Sequence, residues 1–184
     1  MARAAENSEA AARAPSSVPP GTRIAAVVSA FHGELTRAMC DSARSELLAA
    51  GLAAEDFLVL EAPGAFELPI VARRLAIRED VTAVLCFGLV LKGETTHDRY
   101  VAGAAARGVM DVALQTDKPV LFGVLTCDTL EQARARALSA AEGGKHDKGR
   151  EVARAAVATL VALDAAAEVG RVHRPMGFPG GGRR

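Results

Sequence analysis

A chain of 184 residues with 50% hydrophobic and 24% charged side chains has the length of one ordinary domain and is too apolar to stay disordered. Lys and Arg number 22 and Asp and Glu 22, a formal charge of zero, so no long-range field draws it to nucleic acid or an anionic membrane. The longest apolar stretch, 81–91, falls far short of the ~18 or more residues of a spanning helix.

In chain order, residues 1–21 are small and polar and lack the apolar segment of a secretory signal, so a cytoplasmic chain is expected. Cys40, Cys86 and Cys127 have no C-x-x-C spacing, which fits neither a disulfide framework nor a zinc site and predicts reduced thiols. Short apolar runs at 24–28, 57–60, 83–87 and 120–125 read as strands buried on both faces. Ala-, Arg- and Glu-rich stretches at 35–50, 66–77, 97–114, 130–140 and 149–169 read as helices, the first stopped by Gly51. The final residues, 171–184, are too glycine-rich to hold one conformation. The expected organisation is a tail over 1–21, a domain over 22–170 and a tail over 171–184. Strand and helix alternate, which predicts an α/β three-layer sandwich: a four-stranded parallel sheet flanked by helices, with ligands beyond the carboxyl ends of the strands.

The residues expected at those ends are informative. Phe31 follows the first strand and Phe66 the second, while Phe122 lies in the fourth. Such rings either stack on a flat ligand or fill the core. The third strand runs into Gly88-Leu89-Val90-Leu91-Lys92-Gly93-Glu94-Thr95-Thr96-His97-Asp98, where a glycine-punctuated turn opens a helix. Free first-turn amides, the helix dipole and Lys92 make it a phosphate-sized cradle, although an ordinary capped turn accounts for the threonines equally. His97 sits where the dipole disfavours a second positive charge, leaving a neutral imidazole able to accept a proton. His32 is its rival near a rim, whereas His146 falls in a loop and His173 in the tail. Glu67 either complements a helix dipole or reads the N–H donors of a heterocycle. Arg134 and Arg136 follow the fourth strand, and Lys92 and Lys148 lie in glycine-containing turns; all are phosphate-pairing types. No His, Cys, Asp or Glu cluster has metal-ligand spacing, and nucleophile and dinucleotide motifs are absent.

Five segments, Val27-Val28-Ser29-Ala30-Phe31, Pro63-Gly64-Ala65-Phe66-Glu67-Leu68-Pro69, Gly88 through His97, Pro119 through Thr126 and Asp147-Lys148-Gly149, together resemble the lumazine synthase family. The resemblance implies a flavodoxin-like fold and a cofactor-free condensation of 5-amino-6-ribitylamino-uracil with 3,4-dihydroxy-2-butanone 4-phosphate, in riboflavin biosynthesis. It implies that Phe31 stacks on the pyrimidine, that Ala65, Phe66 and Glu67 hold the uracil and ribityl groups, and that Leu89, Val90 and Leu91 line the pocket. His97 would transfer protons. Gly93, Glu94 and Thr95 would bracket the phosphate with Arg136 of a neighbouring subunit, and Phe122 of that neighbour would close over the ring. It thus implies small-molecule substrates, a homo-oligomer with interface sites, and neither nucleic acid, membrane nor metal. Lys92, Lys148 and His32 are further candidates, His32 standing where the family usually has Asn. The segment 137–146 runs longer than in members that build icosahedral shells, which favours a free pentamer or a pair of them. The competing readings are an archaeal-type riboflavin synthase of the same fold and a flavin-binding or shell protein without turnover.

Overall fold

The computed structural model describes residues 17–169, so the expectations for 1–16 and 170–184, His173 included, fall outside the described residues. The elements are β1 (Ile24–Ser29), α1 (Gly33–Ala49), β2 (Phe57–Ala62), α2 (Leu68–Ala76), β3 (Ala83–Leu91), α3 (His97–Thr116), β4 (Val120–Cys127), α4 (Leu130–Ala137) and α5 (Lys148–Val169). All four strands pair in parallel, in the order β2-β1-β3-β4. Expected strands and helices all form, in the α/β three-layer arrangement read from their alternation.

Each strand's side chains alternate between two cores. Ile24, Ala26 and Val28 of β1 and Leu85 and Phe87 of β3 pack with Met39 and Leu47 of α1 and with Ala153 and Val157 of α5. Ala25, Val27, Val84 and Cys86 face the other way, onto Leu68 and Leu75 of α2 and Val109 and Val112 of α3. Met39, Leu47 and Leu85 are fully buried, and burial of a side chain of this size contributes roughly 1.5–3 kcal/mol. Cys40, Cys86 and Cys127 are unpaired thiols within these cores.

Several boundaries differ from the sequence reading, and four of them are informative. β3 runs on through Gly88 to Leu91, because a Cβ at Gly88 would stand 3.0 Å from Leu68 Cδ1 and 3.4 Å from Ala65 Cβ. This glycine serves close packing, not a turn. Phe66 lies in a 3₁₀ turn, Ala65–Glu67, and the α-helix starts only at Leu68, where Pro69 occupies the first turn. α1 begins earlier than expected, at Gly33, behind a left-handed His32 (φ 59°). α4 stops at Ala137; Ser139 then opens a 3₁₀ turn, Ala140–Glu142, closed by a capping box with Glu142.

The amino ends of the strands are tied to one another. Arg23, just before β1, donates through Nε to Asp56 Oδ1 (2.9 Å) and through Nη1 to Asp80 Oδ2 (3.0 Å). Asp56 precedes β2 and Asp80 precedes β3. Arg78 grips Asp80 with two further bonds, of 2.9 and 2.8 Å, and its guanidinium, joined by that of Arg23, holds the Asp80 carboxyl down at about 2. Lys118, before β4, donates to the carbonyls of Arg78 and Val81. All four strands are therefore pinned at one pole, and their carboxyl ends form the other.

Candidate functional site

The chain leaves β1 toward β2 on one side and later crosses to β3 on the other, so the order β2-β1-β3-β4 has its switch point between β1 and β3. A crevice opens at such a point beyond the carboxyl ends. Three connections reach it: residues after β1, the 3₁₀ turn after β2, and the turn from β3 into α3.

The β1 exit is fixed by backbone. Ala30 N–H donates to Ala62 O (2.8 Å) and Phe31 N–H to Pro63 O (3.2 Å). Buried Thr36, in the first turn of α1, donates through Oγ1 to Ser29 O at 2.7 Å. Sequence reasoning passed over Thr36, although a hydroxyl on the buried face that also carries Leu35, Met39 and Cys40 has to find a partner. The product of these bonds is an anchored backbone carrying an outward ring. Phe31 is 66% exposed and Phe66 60% exposed, which rules out core packing for both. Ala65 is buried, and Glu67 is half-buried. Leu89 and Val90 are buried along β3, and Leu91 is half-buried at its end.

Lys92 N–H donates to Cys127 O (2.9 Å), which ties the β3 exit to the end of β4. Lys92 Nζ lies 3.9 Å from Asp128 Oδ1, both exposed. Gly93, Glu94, Thr95, Thr96 and His97 are all exposed on the turn that opens α3. Thr96 is the N-cap residue without a side-chain cap, and Thr95 Oγ1 instead accepts from His97 N–H at 3.4 Å. Arg99 N–H donates to Thr96 O (3.1 Å), so of the first-turn amides that of Asp98 is left to meet an anion.

The structure does not bring every candidate to this crevice. Phe122, 38% exposed, is the third residue of edge strand β4, on the face that Val120 and Val124 share with α3. It stands five positions before Cys127 at the strand end, or about 17 Å at ~3.3 Å per residue. Arg136 is exposed in the last turn of α4, with Nη1 donating to Gln132 O (3.1 Å). Its charge is felt at Cys127, whose thiol is raised by burial and only partly offset by that guanidinium. Lys148 opens α5 and pairs with Glu151 at 2.8 Å. It lies beside Gly149, which touches the middle of α1 at Met39, away from the crevice. His32, by contrast, is half-buried at the crevice rim beside Phe31. A groove of about 500 Å³ lies elsewhere, on the flank of α1, lined by Ser42, Glu46, Ser139, Glu142 and Arg150 among others. Glu46 there is already paired with Arg150 and Arg154.

Among the described residues, no group of three or more His, Cys, Asp and Glu side chains has an arrangement that holds a metal ion, and no helix is long and apolar enough to cross a membrane. What the crevice offers is two exposed rings, a carboxylate, an open helix start and an imidazole. Such a set can sandwich a heterocycle, receive an anion and move protons.

The sequence model of the family described as 6,7-dimethyl-8-ribityllumazine synthase matches residues 21–164. A protein of that name from Thermus thermophilus is 44% identical over 146 residues, covering 79% of this chain and 90% of the relative. 6,7-dimethyl-8-ribityllumazine synthase 1 of Caulobacter vibrioides is 45% identical over 148 residues, 79% of this chain and 92% of the relative. The protein of that name from Frankia casuarinae is 45% identical over 152 residues, 82% of this chain and 88% of the relative.

Proposed function

The chain belongs to the 6,7-dimethyl-8-ribityllumazine synthase family, and on that premise we propose that it condenses 5-amino-6-ribitylamino-uracil with 3,4-dihydroxy-2-butanone 4-phosphate at the crevice between β1 and β3. It is a transferase of riboflavin biosynthesis, and its substrates are small molecules. The observation that carries the site assignment is the convergence of the exposed Phe31 and Phe66 rings with the Gly93–Glu94–Thr95 turn and His97 on one edge of the sheet.

In this reading Phe31 stacks on the pyrimidine, while Ala65, Phe66 and Glu67 with Leu89, Val90 and Leu91 hold the ring and the ribityl chain. The free amine of the uracil adds to the ketone, water leaves to give a Schiff base, phosphate is eliminated, and ring closure expels further water. Each step moves a proton. His97, exposed at the crevice with its backbone N–H turned to Thr95, is placed to accept and return them. Phosphate leaves from Gly93, Glu94 and Thr95, where the Asp98 amide at the start of α3 and Lys92 receive the charge. Much of the rate comes from holding the two substrates together, and none of these steps calls for a cofactor.

Phe122 and Arg136 act across a subunit boundary in this proposal. Supporting it are the partial exposure of Phe122 on an edge strand and the exposed apolar side chains Val59 and Leu60 on β2, Ile70 on α2 and Tyr100, Met110 and Leu114 on α3. Such surface is ordinarily covered by a partner. A homopentamer, single or paired, is the proposed assembly, the longer 137–146 segment disfavouring a closed shell. The domain is proposed to span 22–170, which the family match over 21–164 supports, and the compartment is proposed to be the cytoplasm, which three free thiols support.

Incubation of the protein with both substrates should raise lumazine fluorescence and free phosphate together in equal amounts. His97→Ala should slow that reaction while leaving substrate binding largely intact. Tight lumazine or flavin binding without turnover would instead favour a binding or shell protein. Mixing His97→Ala chains with Arg136→Ala chains at limiting butanone phosphate should restore part of the activity that each lacks. No restoration on mixing would place Arg136 in the same subunit's site or outside it.

A further inference from the structure

His32 combines two features that no other described residue of the crevice shares. Its backbone is left-handed (φ 59°, ψ 37°), and its imidazole meets the Phe31 ring in a T-shaped contact, centroids 4.6 Å apart at 69°. The backbone half has a plain structural use: His32 O accepts from the N–H groups of Leu35 (3.0 Å) and Thr36 (3.2 Å), which starts α1. The side chain makes no cap bond to that helix. It is spent on Phe31 instead.

Phe31 needs such a contact. Its backbone is held on both sides, by its own N–H on Pro63 O and by Ser29 Oγ on its carbonyl (3.2 Å), yet the ring is 66% exposed. A ring so exposed samples several rotamers, and His32 is the one aromatic partner it has among the described residues. The left-handed turn is what aims the imidazole back over residue 31. Asn, Asp and His are the non-glycine residues enriched in that conformation, and of these only His carries a ring.

We propose that His32 is a positioning residue: its imidazole fixes the plane of Phe31 so that a face of the phenyl ring is presented to the incoming pyrimidine. This deepens the functional reading above and rests on it. An edge-to-face pair of this kind orders the ring before the substrate arrives, which lowers the cost of binding that substrate without touching the chemical step.

Replacement of His32 by Asn and by Gly separates the two roles, since both tolerate the left-handed backbone and neither supplies a ring. In steady-state assays of the full chain, both variants should raise KM for the pyrimidine about two- to ten-fold. Their kcat, the KM for the butanone phosphate and the melting temperature should stay near the parent values. Fluorescence titration with lumazine should weaken by the same factor. A parent-like pyrimidine KM in both variants would overturn the proposal, as would an equal loss in kcat or in the KM of both substrates, which signals general disorder of the rim. A parent chain that forms no lumazine sinks the functional reading itself, whereas an active parent with unmoved variants sinks only the ring contact.

Discussion

Replacement of Gly149 by Ala sets helix propensity directly against packing. Gly149 is buried near the start of α5, and its backbone is not among those with positive φ, so conformation alone gives alanine the advantage by about 1 kcal/mol. A Cβ there would stand 2.0 Å from the Met39 carbonyl oxygen and 2.9 Å from Ser42 Cβ. A carbon and a carbonyl oxygen approach to about 3.3 Å, so α5 has to withdraw from α1 by roughly 1 Å. That withdrawal loosens Val152, Ala153, Ala156 and Val157 against Met39, Ala43 and Leu47, and gaps of this width forfeit about a quarter to a half of each dispersion contact. It also strains the Ser42 Oγ donation to Asp147 Oδ1, 2.5 Å, which ties the same two helices. Overpacking against backbone costs about 3 kcal/mol at the upper end of the usual range, leaving a net loss of about 2 kcal/mol, or about 4–8 °C in Tm for a chain of this size. Urea unfolding followed by far-UV circular dichroism measures it, and a Gly149→Ala protein as stable as the parent, or more so, would refute the reasoning.

Arg136→Ala should raise KM for the butanone phosphate by about ten-fold or more, the range of a lost charge-assisted bond to phosphate, while the KM for the pyrimidine holds; equal changes in both would remove Arg136 from the phosphate. Asp80 ionises in the folded chain at about 2 against an ordinary 3.8. Its depressed value means that the stabilisation is complete above about pH 4 and is lost as pH falls toward 2. Acid titration of Asp80→Asn should therefore lack the part of the stability loss that the parent shows across that window, and superimposable curves would discount the clamp. Burial pushes the Cys40 and Cys86 thiols up to about 12, so a thiol reagent at pH 8 should leave both untouched in the folded protein and label them in urea. Rapid native labelling at either would contradict the packed cores.

The strands were legible because each is an apolar run buried on both faces, and the crevice was legible because parallel sheets place ligands beyond their carboxyl ends. That rule alone drew attention to Phe31, Phe66, Glu67 and His97. Gly88 shows where such reading stops: a glycine that permits a turn and one that permits Leu68 to approach a strand look alike in sequence. Phe122 shows a second limit, since an apolar run identifies a strand without saying that the strand is an edge or which of its residues stay exposed. The pairs Arg23–Asp56, Arg23–Asp80 and Ser42–Asp147 join residues 33, 57 and 105 positions apart, and no local pattern announces them. The Asp147-Lys148-Gly149 triplet was read as part of a family signature, and the structure supplies physical reasons for two of its members. Asp147 caps α5 through the Arg150 N–H while bonding to Ser42, and Gly149 is the width of the gap to α1.

The sheet is tied at its amino end by side chains, those of Arg23, Asp56, Asp80 and Lys118, and at its carboxyl end by backbone bonds at Ala30, Phe31 and Lys92. The exposed side chains of Phe31, Phe66 and His97 therefore take no part in holding the strands together. Side chains at the carboxyl end can be exchanged, as His32 for Asn, without loosening the anchors, and substrate preference is free to drift while the sheet keeps its order.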